Sequence, residues 1–260
     1  MDWLLTKRPM STPGMATTAV LFDLDDTLFD HWACTRAALA SLCERYPALR
    51  RMPADGLERE HARLLEELHL HVLAGRMTVD QARVERFGRL LALAGESAGG
   101  EAAAGAAAAY RGAYLGHWRP VEGALELLQA VHGRAATGVV TNNVASEQRQ
   151  KIAACRFEPH LDAVVISEEA GVTKPDSRIF DVALERLGRP AAETVMLGDA
   201  WSTDIEGARA AGIRPVWFNR FGAASPNPGV TEIHSLVPTS LVLSALFSSP
   251  ESRIPSPEPR

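Results

Sequence analysis

Five short apolar runs, at residues 19–22, 138–140, 163–166, 195–197 and 215–218, constrain the fold of this chain more than any other feature. Each is a β-type run bounded by polar or turn-forming residues, and together they read as five parallel strands. Amphipathic helical stretches at 146–154 and 177–187 separate the later runs. That alternation predicts an α/β core, a doubly wound, Rossmann-like parallel sheet with helices on both faces. Such sheets take their ligands at the carboxyl ends of the strands.

The interval between the first two runs breaks the alternation. Residues 31–118 offer no strand candidate, only Leu-, Ala-, Arg- and Glu-rich helical stretches at 31–46, 54–74, 78–94 and 101–117, with the glycine-rich 95–105 segment expected as a loop. The predicted organisation is therefore a core of 19–30 and 119–247, an inserted all-helical domain at 31–118, a flexible extension at 1–18 and a disordered Pro/Ser-rich tail at 248–260. Met10 and Met15 leave open a start further in.

Composition narrows the function classes. The formal net charge is -5 and no cluster of five basic residues occurs, which argues against a nucleic acid partner. Trp3-Leu4-Leu5 precedes Lys7-Arg8-Pro9, the reverse of a secretory signal, and no run approaches the ~20 apolar residues of a membrane helix. Cys34, Cys43 and Cys155 form no Cys-x-x-Cys pair and suit buried, reduced thiols in a cytoplasmic protein. The sequence carries no signal for oligomeric state.

The first run stops at Asp23-Leu24-Asp25-Asp26-Thr27-Leu28. Strand alternation puts Asp23 and Asp25 on one side and Asp26 on the other. Two like charges some 4 Å apart repel by about 4 kcal/mol at an effective dielectric of 20, so the pair calls for a cation or a shared proton. A hard dication meets that need.

Here the chain resembles the haloacid dehalogenase-like superfamily, whose first motif is Asp-x-Asp-x-Thr at the end of the first strand. The resemblance implies that Asp23 attacks phosphorus and carries a phosphoaspartyl intermediate, while Asp25 protonates the leaving alkoxide and later helps activate water. Thr141-Asn142-Asn143, directly after the second strand, resembles the second motif, which implies that Thr141 and Asn142 hold phosphate. Lys174-Pro175-Asp176 resembles the third. A compact ammonium at Lys174 suits the gap between a carboxylate and a phosphate oxygen, in a chain whose 27 basic residues include only three lysines, Lys7, Lys151 and Lys174. Asp176 reads as a helix cap.

Gly198-Asp199-Ala200-Trp201-Ser202-Thr203-Asp204 resembles the fourth motif, departing from many relatives at Ala200 and Trp201. It implies Mg2+ held by Asp23, the backbone carbonyl of Asp25, and Asp199, with Asp204 as a ligand or a support. The resemblance covers roughly residues 19–221, and its phosphatase branch, nucleotidases and N-acylneuraminate-9-phosphatase-like enzymes, is the part this chain looks like. It implies a magnesium-dependent phosphatase acting on a small phosphorylated metabolite, a nucleoside monophosphate or sugar phosphate, with the helical insertion as a mobile cap.

Other chemistries of the superfamily fit less well. Asp25 argues against dehalogenation, where halide leaves without a proton, and the absence of lysine between Asp30 and Arg119 argues against a Schiff-base phosphonate hydrolase. A phosphomutase and a non-catalytic phosphate-binding module stand as alternatives. His31, Trp32 and Trp201 are candidates either for the substrate cavity or for packing, and His69 and His71 read as surface histidines.

Overall fold

The computed structural model describes residues 16–96 and 99–248. Residues 1–15 of the extension expected at 1–18, residues 249–260 of the tail expected at 248–260, and residues 97 and 98 of the glycine-rich segment lie outside the described residues. Within them the chain divides into two compact units, residues 30–119 and the rest.

Strand β1 (Ala19–Phe22) is buried at all four positions, as a strand covered on both faces must be. The helical unit then supplies α1 (His31–Arg45), α2 (Ala54–Leu73), α3 (Val79–Leu93) and α4 (Gly100–Gly116). Thr78 caps α3 with a reciprocal capping box to Gln81, satisfying amide groups the first helical turn leaves open. Helix α4 begins at Gly100, so the loop expected through 105 ends earlier: the alanines from 102 onward extend the helix over Gly105. Its tyrosines Tyr110 and Tyr114 lie one turn apart and project inward with Phe87 of α3 and His61 of α2, Phe87 and Tyr110 having ring centroids 4.8 Å apart.

The chain returns through α5 (Ala124–His132), β2 (Ala136–Thr141), α6 (Ala145–Ala154), β3 (Ala163–Ile166), the single turn α7 (Ser167–Ala170), α8 (Ser177–Leu187), β4 (Thr194–Gly198), α9 (Glu206–Ala210), β5 (Arg214–Phe218), β6 (Thr231–Ile233) and α10 (Thr239–Phe247). The sheet is wholly parallel in the order β3-β2-β1-β4-β5-β6. It thus has six strands where five were expected. The sixth, Thr-Glu-Ile, is half-buried at the sheet edge and too short and polar to register as an apolar run. Thr17 and Thr18 also belong to the folded core, Thr18 bonding Glu193 through its backbone N–H and its hydroxyl.

One face of the sheet packs α8 through Ile179, Phe180 and Ala183 against Leu21, Val140, Val165 and Met196. Each fully buried side chain of this size contributes roughly 1.5–3 kcal/mol. Because β2 and β4 flank β1, the chain direction switches beside β1, which opens a crevice at the carboxyl end of that central strand.

Candidate active site

Asp23 is the first residue beyond β1, still tied to the sheet by its N–H on Leu197 O at 2.9 Å. Its carboxylate is 6% exposed and accepts a short hydrogen bond from Lys174 Nζ. The same ammonium donates to Asp204 Oδ1 at 2.6 Å. Lys174 is itself held by Asn142, whose Nδ2 donates to Lys174 O (3.0 Å) and whose Oδ1 accepts from Lys174 N (2.8 Å). Both ends of the Asn142 amide are therefore committed to the lysine backbone. Asn142, expected to hold phosphate, uses its side chain in this structure to position Lys174.

Asp204, fully buried in a single wide π-type turn (Trp201–Ile205), accepts from Ala200 N on Oδ2 at 3.0 Å. It lies so close to Gly198 that a Cβ there would meet its carboxylate at 2.4 Å, so only glycine can end β4. Asp199 is half-buried. Its Oδ1 accepts from the buried Thr27 hydroxyl at 3.1 Å, and its carbonyl accepts from Trp217 Nε1 at 2.8 Å. Thr27 thus orients a carboxylate on the neighbouring strand.

Asp23, Asp199 and Asp204 each present an oxygen within 4.8 Å of the others. Burial, reinforced by Asp204 and Asp199, pushes the Asp23 carboxyl well above its ordinary value despite the lowering effect of Lys174. Burial first, then Asp204 and Asp26, pushes Asp199 up to about 8. Burial works against the charge of Lys174, but Asp204 and Asp23 outweigh it and hold that group above its ordinary range. Three carboxylates facing one ammonium leave uncompensated negative charge, and an all-oxygen donor set of this kind fits a hard dication such as Mg2+.

Asp25 behaves differently from the strand-alternation expectation. β1 ends at Phe22, Asp26 turns the chain with φ of 63°, and the Asp25 carboxylate is not part of the three-carboxylate cluster. Its Oδ1 accepts from Lys151 Nζ at 2.7 Å and its Oδ2 from Gln148 Nε2 at 3.0 Å. The predicted repulsion between Asp23 and Asp25 is thus answered by a separate lysine for each. Thr141 is buried, and its Oγ1 accepts from the same Gln148 Nε2 at 2.7 Å.

Lys151 and Gln148 lie outside the four motifs quoted above; the scarcity of lysine is the signal that marks Lys151. Asp176 caps α8, accepting from Arg178 N at 3.0 Å. Trp201 packs edge-on against Trp217 and donates to Glu206. In the helical unit His31 Nδ1 lies 2.7 Å from Tyr114 Oη, and Trp32 is 39% exposed under the Arg36 guanidinium. His69 and His71 are half-buried. Cys34, Cys43 and Cys155 are thiols outside any disulfide, Cys34 Sγ donating to His117 O at 3.0 Å, and no described helix is long and apolar enough to cross a membrane.

The profile of the haloacid dehalogenase-like hydrolases matches residues 17–212. Pyrimidine 5'-nucleotidase YjjG of Escherichia coli is 38% identical over 108 residues, covering 41% of this chain and 48% of that protein, so the match spans about half of the nucleotidase. Ribulose-1,5-bisphosphate 5-phosphatase of Halopiger xanaduensis is 35% identical over 213 residues, covering 78% and 84% of the two chains. Among solved structures, HAD-hydrolase YfnB of Bacillus subtilis, determined with magnesium bound, superposes with a TM-score of 0.67 at 27% identity, over 87% of this chain and 98% of that one. This chain belongs to the haloacid dehalogenase-like hydrolase family.

Proposed function

We propose that this enzyme is a phosphatase that hydrolyses small phosphomonoesters through a phosphoaspartyl intermediate on Asp23. The observation that carries this reading is the buried Lys174 ammonium shared by Asp23 and Asp204, beside Asp199 at the sheet's carboxyl edge. Lys174 keeps the Asp23 oxygen in place and offers positive charge to an approaching phosphoryl group.

Asp23 Oδ attacks phosphorus, the bond to the leaving oxygen breaks, and that oxygen takes a proton from Asp25. Water then attacks phosphorus and gives its proton to Asp25, and the P–O bond to Asp23 breaks to release phosphate and the free carboxylate. Asp23 and Asp199, with the Asp25 carbonyl, would hold Mg2+, and Asp204, whose oxygens serve Lys174 and Ala200, would support them. Bound there, the ion supplies charge neutralisation and Lewis acidity. Thr141 takes a phosphate oxygen. Residues 30–119, inserted directly after the nucleophile strand, are assigned the role of cap and the choice of leaving group.

Nucleoside monophosphates or small sugar phosphates are the proposed substrates, in keeping with the names of the relatives. Phosphate release from p-nitrophenyl phosphate with Mg2+ tests the chemistry: Asp23→Asn should lower it by roughly 10³-fold or more, and chelation should abolish it. Turnover that survives Asp23→Asn would refute the nucleophile. A panel of nucleotides and sugar phosphates tests the substrate class, and inactivity on both would refute it.

A further inference from the structure

We infer that Lys151 and Gln148, on α6, are positioning residues that fix the Asp25 carboxylate for proton transfer and tie it to Thr141. The inference rests on the role assigned to Asp25 above. Lys151 is fully buried, yet it projects from a helix whose outer face is solvated, and its Nζ reaches Asp25 Oδ1 at 2.7 Å, with Glu147 Oε1 at 3.5 Å and the Phe29 ring centroid at 5.0 Å. A lysine gives up its hydration only where a partner replaces it. Both lysines among the described residues are buried, and each meets one aspartate of the Asp23-x-Asp25 pair. In a chain so rich in arginine, that pairing singles out a compact ammonium.

Gln148 completes the arrangement. Its two amide hydrogens serve Asp25 Oδ2 at 3.0 Å and Thr141 Oγ1 at 2.7 Å, and it is fully buried. This amide orientation leaves Gln148 Oε1 buried with no partner among the described residues, whereas the opposite flip would set that oxygen against Asp25 Oδ2. With its oxygen accepting from Gln148, the Thr141 hydroxyl donates to Asn142 O at a long 3.4 Å, a bond that a phosphate oxygen would displace. One helix, three residues apart, thus holds both oxygens of the proton-transfer group and the donor role of a phosphate ligand.

Leaving-group dependence separates positioning from plain packing. p-Nitrophenolate leaves readily without a proton, whereas phenolate needs one more. We expect Lys151→Met to lower kcat on phenyl phosphate at least tenfold more than on p-nitrophenyl phosphate, as Asp25→Asn should. The Asp25→Asn/Lys151→Met double variant, which removes both charges, should be no more selective than Asp25→Asn alone. Equal losses on the two esters in a variant that melts like the parent, or additive losses in the double variant, would overturn the inference. Should Lys151→Met not fold, Gln148→Met and the double variant carry the same comparison. If Asp25→Asn itself shows no leaving-group selectivity, the inference falls with the Asp25 role, while the Asp23→Asn result still judges the nucleophile separately.

Discussion

The buried lysines of the α/β unit and the buried His61 of the helical unit are held on opposite terms. At the sheet edge of the α/β unit, Lys151 and Lys174 sit almost wholly out of water and each is held by carboxylates at 2.7 Å or closer. In the helical unit His61 is 2% exposed, its Nε2 has no hydrogen-bond partner among the described residues, and it is ringed by Phe87 and Tyr110. Burial first, then the charges of Arg86 and His31, pushes its pKa well below the ordinary value. The two lysines keep their charges by pairing with carboxylates; His61 discards its charge and serves as a packing element, beside a buried Arg86 whose guanidinium lies over the Phe87 and Tyr110 rings. Retained charge marks chemistry, because desolvation selects against it wherever nothing requires it.

The largest test of that contrast is Lys174→Met. It leaves Asp23 and Asp204 facing each other without a cation, and breaking a buried pair in this way costs about 3–5 kcal/mol. Phosphate release should fall by roughly 10³-fold with it. Without the ammonium the folded carboxylates bind protons more tightly than unfolded ones, so stability lost at neutral pH should return in part as the pH falls. Urea denaturation at two pH values reads both effects, and undiminished stability at neutral pH would break the comparison.

How much of this was legible in the sequence follows from range. Asp23, Thr141, Lys174 and Asp199 each follow a short apolar run or open a helix, so local pattern placed them at strand ends, and alternation with amphipathic stretches gave the doubly wound sheet. Asp25 was legible as a residue but not in its environment: alternation holds only while the strand lasts, and the chain turns at Asp26. Lys151 and Gln148 meet Asp25 across more than 120 residues, through a register that nothing local encodes. Their only trace was the rarity of lysine. His61 was equally silent, since polar neighbours on α2 conceal which face is buried. Strand β6 was missed because an edge strand needs little apolar surface.

His61 gives a smaller effect and the opposite kind of evidence. Its folded pKa lies below the ordinary 6.5, so between the two values the unfolded chain binds a proton that the folded one does not. Stability therefore falls as the pH drops through 6.5. His61→Leu should remove that fall, visible as the difference between variant and parent urea midpoints above and below that pH. An unchanged pH slope would show that the ring takes up a proton as readily in the folded state as in the unfolded one, and the contrast with the lysines would fail.

The smallest effect belongs to the solvent side of the same unit. Arg63 bonds Glu60 and Glu67, and Arg89 extends the chain of charges to Glu85, at distances of 2.6–3.1 Å. These bonds are as short as those at the sheet edge, and they raise the Arg63 pKa further above its already high value. In water, however, the exposed pairs exchange one set of partners for another, and salt screens what is left. Arg63→Ala should shift the melting temperature less than His61→Leu, and the shift should fade as salt is added. A loss as large as that of Lys174→Met, or one that salt does not touch, would mean that hydrogen-bond length rather than burial decides what an ion pair contributes, and the contrast between the two units would fail.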